Sequence, residues 1–557
     1  LQFSHHGADV VANKQLSREA PMNRNKAAVA GAFASLLAIG LASMNATAQP
    51  ASTAPFVKTD AGPVEGARLD GVDVFLGIPF AAPPVGGHRL APPVAPPGWT
   101  TPLRATVRPS ACPQTASPDP AGLASNTEDC LYLNVWSPRP AGQPRPVIVW
   151  FHGGGFVEGY GAAKQYDGTH LAAQANAIVV TANYRVGALG FLAAAALDAT
   201  DSRHVSGNYG LMDAQAALGW VNRNIAAFGG DPHRITVMGE SAGANMVLGL
   251  LASPASDGLF QRAIVQSGTD GAHTVPLAQA EKQTYAHALE EIGCGGAADT
   301  AACLRAAPVQ SFLQMSVKPT MVQDGLLLPL DPFAAFQQGR FIHVPVLIGS
   351  NAKENYLFTA RTESDVLKRH LTFDDVPGLL KTNFAAGANA VATHYSADAY
   401  VNAATLIGSA LTDRRFSCMA ELARKGLSQA VPVYGYQLDI ADPVQQQPLA
   451  PGGDLPNLSY HTTDLGYVFD NDNDAQPLTG RHAALSRMMI AYWAAFAAAG
   501  DPNAATGESA RPTWPRFSAS DPAVLTLADA PSPTSAFAAE HKCAFWEQSG
   551  MVAGTWQ

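Results

Sequence analysis

The residues able to do chemistry in this chain begin with one serine set between glycines, Gly239-Glu240-Ser241-Ala242-Gly243. This fits a Gly-x-Ser-x-Gly nucleophile elbow. A serine hydroxyl is a weak nucleophile until a base takes its proton, so it must project clear of the backbone. A sharp strand-to-helix turn achieves that, and its crowding requires residues without bulk two positions to either side. The N-terminus of the following helix favours developing negative charge. In a chain with 50 glycines one pentapeptide can arise by chance, so its surroundings decide.

A second pattern, His152-Gly153-Gly154-Gly155-Phe156, directly follows the apolar run Pro146 to Phe151. A dinucleotide-binding Gly-x-Gly-x-x-Gly would need glycine at 158, which is Glu158. An oxyanion hole fits better, because backbone N–H groups can reach a negative oxygen only where no side chain blocks approach. A His-Gly-Gly-Gly run upstream of the elbow is the pairing expected of lipases and esterases.

Positioning these groups requires a sheet. Val64 to Arg89 alternates short apolar runs with Gly and Pro, as hairpins do. Leu131 to Trp136, Pro146 to Phe151, Ala177 to Thr181, Ile235 to Met238, Arg262 to Gln266, Val344 to Ile348 and Val433 to Leu438 read as strands. Leu211 to Phe228 and Ala242 to Leu251 read as helices. Strands alternating with helices predict a mostly parallel, doubly wound α/β sheet with helices on both faces and inserted helical segments. Reactive groups should then sit at the C-terminal strand ends, in the order serine, acid, histidine. Glu354 lies just past Val344 to Ile348, and His461 lies in Tyr460-His461-Thr462-Thr463-Asp464. His343 precedes its strand, and His287, His370 and His482 sit in helix-like stretches. The residues alone favour His461 without excluding the other histidines.

The formal net charge of −10 offers no basic excess for nucleic-acid phosphates. Arg24 and Lys26, the apolar stretch Ala27 to Ser43 and the small residues Ala46-Thr47-Ala48 read as an export signal over 22–48. The stretch is short for a membrane span, so the expected product is periplasmic or extracellular, with no stable membrane anchor. Residues 1–21 are then a non-native extension or the product of a misplaced start, with Met22 the natural first residue. Six cysteines after an export signal suggest disulfides, among fifteen possible pairings. The acidic run Asp470 to Asp474 lacks the Gly and Glu of a calcium loop, at Ala475 and Arg481, and reads as a polar turn. No motif calls for a metal or another cofactor.

The chain resembles the type-B carboxylesterase family, the group that also contains cholinesterases. The resemblance rests on Phe75-Leu76-Gly77-Ile78-Pro79-Phe80-Ala81, Glu128-Asp129-Cys130-Leu131-Tyr132-Leu133-Asn134-Val135 and Asn183-Tyr184-Arg185-Val186-Gly187. It continues through Gly207-Asn208-Tyr209-Gly210-Leu211-Met212-Asp213, Phe228-Gly229-Gly230-Asp231-Pro232, the elbow, Tyr492-Trp493 and Gly500-Asp501-Pro502-Asn503. It implies an α/β-hydrolase fold, with 49–557 as a single catalytic domain. It implies Ser241 as nucleophile, Glu354 in place of the more usual aspartate, His461 as base, and the N–H groups of Gly154, Gly155 and Ala242 as oxyanion donors. It further implies a buried polar network of Glu240 and Asp464 behind these, with Ser267 nearby. The cysteines match the family's pairing Cys112–Cys130, Cys294–Cys303 and Cys418–Cys543, and Arg89 and Glu128 match its structural salt bridge.

Departures narrow the expectation. The 112–130 loop, which in cholinesterases carries the choline-binding tryptophan, holds no aromatic residue, so binding of a quaternary ammonium is not provided there, and Gly268 to His273 lacks the tryptophan that helps line the cholinesterase acyl pocket. The family's glycine after the acid is Asn355. The implied activity is hydrolysis of a small carboxylic ester through an acyl-enzyme, not of a choline ester. Its rivals are a lipase, an esterase for one bulky natural product, an amidase or carbamate hydrolase, and an adhesion-type binding module. Oligomeric state is not legible in the residues.

Overall fold

Period-two alternation of apolar side chains builds the central sheet. In Arg145–Phe151, Val147, Val149 and Phe151 enter one apolar cluster, while Ile148 and Trp150 enter a second. The same division recurs in Ile178–Ala182, Arg262–Gln266 and Val346–Asn351. A strand apolar on both faces must be covered on both, and helices do so here. Tyr209–Asn224 and Ala242–Ala252 pack on one side, and Thr169–Ala175, Thr463–Phe469 and Gly480–Ala499 on the other.

This architecture is seen in a computed structural model that describes residues 54–551, apart from 117–121, 269, 316–318, 450–451, 473 and 506–510. The expected export signal and upstream extension lie outside the described residues. Among those described, no helix is long and apolar enough to cross a membrane.

Among the described residues, the main sheet has eleven strands. They are β1 Ala67–Leu69, β2 Val72–Pro79, β3 Tyr132–Pro138, β4 Arg145–Phe151, β5 Ile178–Ala182, β6 Gly230–Glu240, β7 Arg262–Gln266, β8 Val346–Asn351, β9 Val433–Leu438, β10 Val524–Leu527 and β11 Ser532–Thr534. Their spatial order is β1-β2-β3-β5-β4-β6-β7-β8-β9-β10-β11. Neighbours from β5 to β10 run parallel, and the flanking strands are antiparallel. The fold is an α/β hydrolase. β8 begins two residues later than the apolar run suggests, since Pro345 has no N–H to give the ladder. Leu211 to Phe228 resolves into the helix Tyr209–Asn224 and a 3₁₀ turn, Ile225–Phe228, closed by Gly229 at φ 86°. His370 lies outside any helix.

Parallel register brings the reactive ends together. Phe151 lies opposite Gly239, Glu240 opposite Gln266, and Gln266 opposite Gly349. The segments starting at His152, Ser241 and Ser267, and the one leading to Glu354, therefore leave the same edge. All three disulfides form as the resemblance implies, Cys112–Cys130, Cys294–Cys303 and Cys418–Cys543. Arg89 meets Glu128 through two bonds of 2.7 and 2.5 Å, with both side chains buried rather than on the surface. A second buried fork, Arg185 to Asp213 at 2.7 and 2.8 Å, joins two of the matching motifs.

Candidate active site

Ser241 stands between β6 and the helix Ala242–Ala252 at φ 56° and ψ −121°, a conformation L residues rarely adopt. Such strain costs of order 1–3 kcal/mol and persists only where the surroundings enforce it. Here Ser241 N donates to Gln266 O and Asn245 N donates to Ser241 O, both at 3.0 Å. Every residue of the helix is buried. The elbow glycines are required by close approach. A Cβ on Gly243 would overlap Phe151 O, and one on Gly239 would overlap Gly243 O. Ala242 opens the helix, where an amide has no intrahelical acceptor.

The glycine run lies against this elbow. A Cβ on Gly153 would come 2.9 Å from Glu240 Oε2 and 3.2 Å from Ser241 Cβ. Gly154 has φ 100°, and a Cβ there would overlap Glu158 O. Among the described residues, the amides of Gly154 and Gly155 donate to no protein group. His152 anchors the start of the run. Its Nδ1–H donates to Gly153 O at 2.8 Å, and its ring stacks on Tyr184 at 4.3 Å. Burial lowers its pKa to about 4, so this imidazole is neutral at neutral pH.

The acid and the histidine arrive from separate segments that are stitched together. His461 Nδ1 lies 2.7 Å from Glu354 Oε2, and His461 N donates to Glu354 O at 3.2 Å. Asn351 N, at the end of β8, donates to Glu354 Oε1 at 2.6 Å. The far side of the ring, Nε2, lies 3.3 Å from Glu240 Oε1, next to Ser241 in sequence. Two carboxylates thus bracket one imidazole.

Behind Glu354 sits Asp464, fully buried. It accepts from Gln266 Nε2 at 2.6 Å, Asn351 Nδ2 at 3.2 Å and the Tyr436 hydroxyl at 3.3 Å. Trp493 Nε1 donates to Gln266 Oε1 at 3.1 Å. Burial, then the charge of Glu354, holds the Asp464 pKa above the usual carboxylate value, against the opposing effect of its amide donors. Ser267 adjoins this network without entering it. Its N–H donates to Gly349 O at 2.8 Å, while its buried hydroxyl has no protein partner among the described residues. Gln266, not Ser267, carries the link.

With this geometry, the match to known proteins becomes decisive: the carboxylesterase family matches residues 53–546. The chain belongs to the carboxylesterase family. It is a carboxylic ester hydrolase. It is 36% identical over 475 residues to the fumonisin B1 esterase of Sphingopyxis macrogoltabida, covering 82% of this chain and 84% of that protein. It is 34% identical over 469 residues to the para-nitrobenzyl esterase of Bacillus subtilis strain 168, covering 81% and 91%. A solved PNB esterase structure superposes with a TM-score of 0.72 at 31% identity, over 88% of this chain and all of that one.

Within this carboxylesterase, Asn355 does not strain the turn after the acid. It adopts φ −76°, ψ 0°, and its N–H donates to Thr412 Oγ1 at 2.9 Å, so no glycine is required. Sequence reasoning missed Gln266, Asn351 and Tyr436. A signal existed for the first two, which are polar residues ending otherwise apolar strands. It also missed Phe358 and Phe416, whose rings flank His461 at 5.1 and 5.0 Å. Those two come from separate inserted segments and carried no local signal.

Proposed function

We propose that the protein is an exported serine carboxylesterase acting through Ser241, His461 and Glu354. Ser241 Oγ attacks the ester carbonyl carbon as His461 Nε2 takes the hydroxyl proton. Glu354 orients the imidazole and stabilises the imidazolium, as does Glu240. The amides of Gly154, Gly155 and Ala242 hold the oxyanion, and loss of one of these donors would raise the barrier by about 3–4 kcal/mol. His461 returns its proton to the leaving alcohol, and water then cleaves the acyl-enzyme by the same steps. The observation that carries this reading is the 2.7 Å contact from His461 Nδ1 to Glu354, with Nε2 3.3 Å from Oε1 of Glu240, the residue before Ser241. Three disulfides support an oxidising compartment and hence export.

The test is hydrolysis of p-nitrophenyl esters from acetyl to dodecanoyl, with Ser241→Ala alongside. Short chains should turn over fastest, and the substitution should abolish turnover. A maximum at long chains would indicate a lipase. The likeness to a fumonisin B1 esterase favours a narrower reading, a bulky natural-product ester as substrate. Slow turnover of every simple ester, still dependent on Ser241, would select it.

A further inference from the structure

Phe358 and Phe416 do more than flank His461. They are nearly parallel, with centroids 6.2 Å apart at 16°, and the Arg415 guanidinium lies 6.0 and 5.9 Å from their centroids. The same pair of rings therefore touches both His461 and a cation. Arg415 Nε lies 3.4 Å from Asp270 Oδ1, but Asp270 Oδ2 is already taken by Arg414 Nη1 at 2.7 Å. Two guanidinium groups thus share one carboxylate. Arg415 Nη1 and Nη2 have no protein partner among the described residues, and the side chain is 28% exposed.

We infer that Arg415 is a specificity-determining residue that receives a carboxylate of the substrate, so that the enzyme prefers esters carrying a second, anionic group. This rests on the reading of Ser241 and His461 as the reacting pair. The planar guanidinium of Arg415 offers its two outer N–H groups as the fork that a carboxylate needs. The location calls for such a group. Glu354 and Glu240 bracket His461, and their charge repels an anionic ester unless a cation offsets it. Asp270 follows shortly after β7, so the ion pair sits at the strand edge from which the reactive segments leave.

The experiment compares mono-p-nitrophenyl glutarate, which carries a free carboxylate, with p-nitrophenyl hexanoate, which does not. It uses the wild type, Arg415→Met, Arg415→Lys and Ser241→Ala. Arg415→Met should lower kcat/KM for the glutarate about ten- to hundredfold, mainly through KM. Activity on the hexanoate should stay within about twofold, since methionine keeps the apolar contact with the rings. Arg415→Lys should fall between. Glutarate itself should bind Ser241→Ala by calorimetry and lose that binding when Arg415→Met is added. An unchanged glutarate-to-hexanoate ratio, an equal loss on both esters, or glutarate binding indifferent to Arg415 would overturn the inference. Hexanoate hydrolysis surviving Ser241→Ala would instead overturn the reading of the reacting pair.

Discussion

The two halves of the site are built in different ways. The elbow and glycine run are backbone constructions. Gly239, Gly243 and Gly154 are required because other backbone atoms occupy the space a Cβ would fill. The histidine half is a side-chain construction. Glu354, His461, Asp464, Gln266 and Tyr436 come from distant segments and are held by hydrogen bonds across β7, β8 and β9. Backbone constructions fail by clash, whereas side-chain networks fail by a lost or reversed hydrogen bond. The first kind tolerates no added atom, and the second tolerates change in proportion to the bond lost.

The largest effects should separate nucleophile from orienter. Ser241→Ala should lower kcat by about 10⁶-fold, and Glu354→Gln by about 10⁴-fold, both without unfolding. Equal losses in steady-state kinetics would make Glu354 more than an orienting group. Next comes Gly243→Ala, which drives a methyl into Phe151 O in the middle of the sheet edge. It should cost about 3 kcal/mol or more in chemical denaturation, or prevent folding. An alanine variant of wild-type stability would break the backbone half of the comparison.

A smaller effect should come from Asp464→Asn. Asp464 accepts from all three partners, so an amide nitrogen in place of one oxygen loses a bond unless Asn351 or Tyr436 turns to accept from it, at a cost of about 1–3 kcal/mol. Its pH dependence sharpens the point. The folded pKa of Asp464 is raised, so its contribution is fully present at low pH and is lost as pH rises through the folded value. The stability gap between wild type and Asp464→Asn should narrow toward higher pH, as melting curves across pH would show. A gap that widens would mean that the donors outweigh burial and keep Asp464 ionised.

The same division explains what could be read from the chain. The elbow, the glycine run and the buried strands were legible because chemistry and backbone sterics constrain neighbouring residues. Glu354 was legible by its place after an apolar run. His461 stands well beyond β9, and residue logic alone could not single it out. The role of Gln266 in place of Ser267 depends on which way each side chain leaves the strand end, and Phe358 and Phe416 meet only through folding of the inserted helices.

The most direct measurement is the site of covalent capture by an alkyl fluorophosphonate, which gains a serine oxygen on phosphorus and loses fluoride. Intact mass and peptide mapping should show one adduct, on Ser241, forming at least about 10³-fold more slowly in Glu354→Gln. An active enzyme that takes no adduct, or takes it on another residue, would contradict the assignment of Ser241 as the nucleophile.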